Sequence, residues 1–352
     1  MSAEGRPHQP DPELPDALSW WGIIGPIPGP TSGGVIVTPH RRDRALDAPI
    51  TVGPLRLRPG QTRLVEYQRT DPQALHGTVR HESWPVVVER IASGQPPLDD
   101  PSPTEHADAV RSGARELHRL ACLVSLGWGE PWGVRTAPQP VGSLPAVVPD
   151  SWPPPPDWYS GDAGLLDEQP TSLPDWIAAA WDALDADPVL ERALGAWHQG
   201  VLMSPAFPSY ALVAFFSSVE TAASSRVVAA AIAANASDDQ APAKAGSAET
   251  VWTALSLVAS QDDMQRLRHD YNAYRQRSHT AHEAQLHGIE TAPGSLFLFQ
   301  LEPASDEGPP VVRIDDTDAP QMFELQLLAK VRGCATRLLL GALTGTYEFR
   351  IP

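Results

Sequence analysis

PVLERALGAWHQGVLM, residues Pro188–Met203, follows directly on Asp187, and the Asp-Pro pair reads as an N-cap with proline at the first helical position. The stretch therefore predicts a helix, and the sequence downstream continues in the same pattern. YALVAFFSSVETAASSRVVAAAIAA, residues 210–234, reads as a second helix. A third, long helix is expected from near Ser247 through VWTALSLVASQDDMQRLRHDYNAYRQRSHTAHEAQLHG. Asp318-x-x-Gln321 resembles a capping box for a last helix, FELQLLAKVRGCATRLLLGAL, with SLFLFQLEP and PPVVRIDD before it as an irregular or hairpin-like insertion. Residues 173–352 are expected to form an all-α bundle.

Upstream, residues 142–172 contain four consecutive prolines, Pro153 to Pro156, and little to bury, so they read as a Pro-rich linker. Residues 19–141 read as an α+β domain of unknown role. VIVTP, TVGPLRL, TRLVEYQ and VVVERI are short β-branched runs separated by turn residues. Glu105 to Leu126 has apolar residues at helical spacing, and GEPWGVRTAP is expected to close that helix. GPIPGPTSGG at Gly25–Gly34 lacks the Lys-Ser/Thr ending of a phosphate loop and reads as a plain loop. Residues 1–18 are polar and acidic, and are expected to be disordered.

The 352-residue chain carries a formal net charge of −17, which argues against broad DNA or RNA binding through many phosphate contacts. Lys244 and Lys330 are its only lysines, an Arg-heavy usage in keeping with a GC-rich bacterial coding sequence. No apolar run is long enough to span a bilayer and no basic-then-apolar leader opens the chain, so a cytoplasmic protein without membrane contact is expected. Cys122 and Cys334 are the only cysteines, each in an apolar helical stretch, and read as buried free thiols.

One stretch of the acidic C-terminal half is locally basic. Arg266, Arg268, Arg275 and Arg277 stand against a single acid, Asp270, with His269, His279, His282 and His287 close by. Arginine clamps phosphate, and histidine exchanges protons near neutral pH. On a regular helix Arg275, His279 and His282 fall within roughly 60° of one another, whereas Arg277 and His282 lie roughly 140° apart. Arg277 and His282 therefore share a ligand only if the helix is irregular, if the Arg stem reaches around, or if two protomers share the site. A solvated face paired to acidic neighbours is the plainer alternative.

Two other chemistries fail on spacing. His282-Glu283-x-x-x-His287 puts its imidazoles roughly 140° apart where the zinc-protease helix needs about 40°. No Gly-x-Ser-x-Gly elbow is present.

Tyr274-Arg275-Gln276-Arg277-Ser278-His279-Thr280-Ala281-His282 resembles the Tyr-x-x-Arg-Ser-x-x-x-His signature of the Apea-like branch of the HEPN superfamily. PVLERALGAWHQGV resembles that family's early helix and ALVAFFSSVETAA the next, with Glu220 where the family usually has Glu. The fold expected is thus an α+β N-terminal domain followed by an all-α HEPN-like helical bundle. The resemblance implies a homodimer whose paired motifs cut RNA without metal or other cofactor, leaving 2′,3′-cyclic phosphate and 5′-hydroxyl ends, in antiviral defence or stress. It implies that Arg277 stabilises charge on the phosphate, that His282 is the general acid or base, and that Ser278 orients the phosphate or the Arg. Arg275 and His279 are supporting candidates, with Tyr274 and Glu220. The sequence departs from the family at Glu283, where Gly is common; the nearest His-Gly is His287-Gly288. The resemblance equally allows a non-catalytic module that dimerises or senses nucleotide or RNA, with the N-terminal domain recognising a partner.

Overall fold

The computed structural model describes residues 19–27, 49–59, 63–69, 78–83, 86–91, 102–129, 131–140, 159–164, 173–204, 207–235, 247–284 and 319–347. The expected disordered segment 1–18, the VIVTP strand, the 295–316 insertion, Asp318 of the capping box and His287 lie outside them. The architecture is an antiparallel sheet region followed by a mostly helical part.

In the sheet region, β1 (Trp20–Pro26), β2 (Ile50–Val52), β3 (Leu55–Pro59) and β6 (Val86–Arg90) join β7 (Trp132–Pro140) in one sheet of order β2-β3-β6-β1-β7. A second sheet of order β5-β4-β8 is built from β4 (Arg63–Arg69), β5 (Thr78–Ser83) and β8 (Tyr159–Gly164). β3 alternates in the way its sequence asks, with Leu55 and Leu57 buried and Arg56 out. Gly53 turns the β2–β3 hairpin at φ +53°, and a Cβ there would sit 2.3 Å from the Trp181 indole, so both backbone and space demand glycine.

Four strands fall where the sequence suggested none: β1, whose Gly25 and Pro26 were expected in a loop, β5, β7 and β8. WGVRTAPQP was expected to close the preceding helix and instead forms β7. Among the described residues it is an edge strand, a position in a sheet that tolerates its two prolines. β8 lies inside the Pro-rich segment 142–172; YSGDAG has no β-branched residue, and the strand follows from pairing with β4 rather than from propensity.

α1 (Pro103–Trp128) starts on a capping box between Ser102 and Glu105 and stops at Gly129 in the left-handed conformation, φ 69°. It packs on β1 and β7 with one face and on the helical part with another. The helical part comprises α2 (Trp176–Ala186), α3 (Pro188–Met203), α4 (Pro208–Ala223), α5 (Arg226–Asn235), α6 (Ser247–Leu255), α7 (Gln261–Gln265), α8 (Ala273–Glu283) and α9 (Ala319–Thr344). Asp187 caps α3 as expected, accepting from the Val189 amide at 3.1 Å, and its other oxygen accepts from the Arg226 amide at 3.0 Å.

Both long helices expected from the sequence are broken. Ser225 accepts from the Val228 amide and restarts the chain as α5. Ser260, extended at φ −66° and ψ 162°, caps α7 through the Asp263 amide, so α6 cannot run on. A π-helical turn, Arg266–Asp270, follows, and Asn272 at φ 47° separates it from α8. These breaks swing α8 onto α4.

The buried residues form one continuous cluster from Trp20, Leu55 and Val88 through Leu120 and Val124 of α1 to Trp181, Trp197, Phe215 and Leu338. Arg119 stitches the two parts together. It donates to Glu191 of α3 at 3.1 Å and to Asp185 of α2, with its guanidinium 4.8 Å from the Trp181 ring. Arg115 adds a second donor to Glu191. Burial alone would raise the Glu191 carboxyl, but the hydrogen bonds from Arg115 and Arg119 hold it below the ordinary carboxylate value.

Candidate functional site

Tyr274 sits in an aromatic nest. Its ring meets Phe216 of α4 edge-on at 5.8 Å and Trp252 of α6 at 6.3 Å, and Phe216 meets Trp252 at 6.2 Å. Held there, the Tyr274 hydroxyl donates to Glu220 Oε1 at 2.9 Å, and one turn along α8 Arg277 Nη2 donates to Glu220 Oε2 at 2.7 Å. Both carboxylate oxygens are thus occupied. The Arg277 guanidinium also lies 5.4 Å from the Tyr274 ring. Its Nε is buried without a hydrogen-bond partner among the described residues. Tyr274, Arg277 and Glu220, distant in sequence, are brought together.

Arg277 and His282 are not. α8 is an unbroken helix through Glu283, so the five-residue spacing keeps its wide angle, and His282 is exposed in the last turn. Ala284 ends the helix at φ 53°.

Next to this cluster an open cleft of about 540 Å³ is lined by Glu249 and Trp252 of α6, Arg268, Asn272, and Tyr274, Arg275, Ser278, His279 and Glu283 of α8. Arg275 Nε donates to His279 Nε2 at 3.3 Å, which makes that nitrogen an acceptor and puts the ring proton on Nδ1, 4.0 Å from Glu283 Oε2. Arg268 lies 3.6 Å from Glu249 and 5.2 Å from the centre of the Trp252 ring. Of the sequence-expected residues, Tyr274, Arg275, Ser278 and His279 line the cleft; Arg277, Glu220 and His282 are not among its lining. The cleft offers two guanidinium groups, an imidazole, a hydroxyl and an indole face, opposed by two carboxylates.

A second cluster escaped the sequence reading. His118 and Cys122, one turn apart on α1, meet His198 of α3, with one ligand-capable atom from each within 4.8 Å of the others. Cys122 read as an isolated core thiol. Its helical spacing from His118 was visible, but His198 enters only through the packing of α3 on α1. Burial pushes the Cys122 thiol far up, with Glu191 adding to it. Burial also pulls His198 down to about 4, so its imidazole is neutral at physiological pH.

No protein-family profile, curated protein or solved structure matches the chain. Among the described residues no helix is long and apolar enough to cross a membrane.

Proposed function

We propose that α8 and α4 carry half of a metal-independent, HEPN-type endoribonuclease site, completed by a second copy of the chain, and that the protein acts in the cytoplasm in antiviral defence or stress. The observation that supports this reading is the meeting of Tyr274 and Arg277 with Glu220, three residues on which the family resemblance rests. This reading calls for a partner copy. Of the three ways for Arg277 and His282 to share a ligand, helix irregularity is ruled out by the regular α8, and reaching around is opposed by the Glu220 clamp. The reading therefore takes the third way, a site shared by two protomers.

In such a dimer Arg277 of one protomer stabilises negative charge on the scissile phosphate, and His282 of the other moves a proton at the ribose 2′-hydroxyl or the leaving oxygen. Attack by the 2′-oxygen on phosphorus expels the 5′-oxygen and leaves a 2′,3′-cyclic phosphate and a 5′-hydroxyl. Glu220 and Tyr274 position Arg277; Ser278, Arg275 and His279 hold flanking RNA in the cleft.

A second reading has its own support. Glu283 lines the cleft and repels phosphate, and Arg277 is already paired. A dimerising module that senses nucleotide or RNA, serving the N-terminal half, fits those two facts.

The assay that separates them is incubation of single-stranded RNA with the full chain in EDTA, with product ends identified. Cyclic phosphate and 5′-hydroxyl ends are expected. RNA retained but never cut, under any candidate trigger, favours the module.

A further inference from the structure

The cluster at the seam of the two parts goes beyond the RNA site, and no α4 or α8 residue contributes to it. We propose that His118, Cys122 and His198 bind one zinc-class transition-metal ion, with the fourth position open to a solvent oxygen.

One pair already has the spacing of a tetrahedral site, and the three ligand atoms, all within 4.8 Å of one another, would draw in by about 1 Å around an ion. Zinc–sulfur and zinc–nitrogen bonds of about 2.3 and 2.0–2.1 Å at the tetrahedral angle put the two ligand atoms about 3.5–3.6 Å apart. Cys122 Sγ lies 3.6 Å from His118 Nε2. Two imidazoles on one such ion have ring centres roughly 5 Å apart; those of His118 and His198 are 5.5 Å apart.

His198 supplies the second argument. Its Nε2 lies 2.6 Å from the Trp132 carbonyl oxygen, which can only accept, so the ring proton is on Nε2 and the lone pair on Nδ1. That Nδ1 is buried and has no hydrogen-bond partner among the described residues. An unmet buried acceptor is costly, and a metal ion removes the deficit. A backbone carbonyl behind the imidazole is the usual outer support of a metal-binding histidine, fixing tautomer and orientation. A simple thiol–imidazole contact between Cys122 and His118 explains the 3.6 Å separation but leaves His198 Nδ1 unsatisfied.

The donor set selects the ion. Two imidazoles and a thiolate suit zinc, whereas calcium and magnesium take oxygen ligands. Binding displaces the Cys122 thiol proton to solvent, leaving one thiolate bound to a divalent cation. His118 is exposed, which gives the ion an entry path and the fourth position access to water. Because α1 belongs to the sheet region and α3 to the helical part, the ion would cross-link the two.

The test uses the full chain after chelator dialysis, titrated with cobalt(II) as a spectroscopic probe and then with zinc. One cobalt per chain is expected, with a thiolate-to-cobalt charge-transfer band and the strong visible bands of tetrahedral coordination, both displaced by zinc. Cys122→Ser should abolish the charge-transfer band, and Cys334→Ser, at the only other thiol, should keep it. His118→Ala, at an exposed position, should weaken zinc binding by at least about tenfold. Absence of the band in the unaltered chain, its loss in Cys334→Ser alone, or zinc affinity unchanged in both His118→Ala and Cys122→Ser would overturn the proposal.

Discussion

Replacing His282 by alanine is expected to slow RNA cleavage by on the order of 10²–10⁴, the usual contribution of a positioned proton-transfer group. The side chain is exposed in the last turn of α8 and makes no hydrogen bond or ion pair among the described residues, so the change removes chemistry without removing packing. Thermal unfolding of the variant should match that of the unaltered chain. Single-turnover cleavage with RNA in excess of its dissociation constant separates the chemical step from binding. Cleavage at the full rate would move the proton transfer elsewhere, with His279 in the cleft the next group to replace.

The second large effect is on stability. Trp181→Ala is expected to cost about 3–5 kcal/mol, the range for deleting a buried aromatic ring. Trp181 is 2% exposed and stands where three elements meet: the β2–β3 turn presses Gly53 against its indole, Arg119 of α1 stacks on it, and α2 carries it. Because the core is continuous, urea unfolding should remain a single transition shifted as a whole. A loss below about 1 kcal/mol, or a loss confined to the helical part, would contradict a shared core.

Much of this arrangement could be read from the residues. Asp187-Pro188 announced the start of α3 because capping is local chemistry, and the apolar spacing over Glu105–Leu126 announced α1 for the same reason. β7 and β8 were illegible because their strand state comes from partners: an edge position for a Pro-bearing segment, and pairing with β4 for YSGDAG. The breaks at Ser225 and Ser260 were carried by single hydroxyls inside helix-forming runs, where periodicity on both sides masked them.

The candidate site divides along the same line. Tyr274, Arg277 and Glu220 were marked by the resemblance, but only folding shows that Glu220 accepts from both of the others, a clamp joining α4 to α8. The Arg275–His279 contact follows from one helical turn and was legible. Trp252, from α6, carried no signal in sequence, and Arg268, from the π-turn, was marked only as part of the basic stretch and not as lining this cleft. His198 is the extreme case, since nothing along the chain connects it to His118 and Cys122.

The two-protomer site is tested most directly by mixing two inactive variants. Arg277→Ala and His282→Ala are each expected to be inactive alone. Unfolded together and refolded at equal concentrations, they form mixed dimers in which one of the two composite sites retains both Arg277 and His282, so about a quarter of the unaltered activity should return. Recovery to that level, lost on dilution below the dimer dissociation constant, is the predicted result; no recovery from a mixture shown to contain the mixed dimer would contradict it.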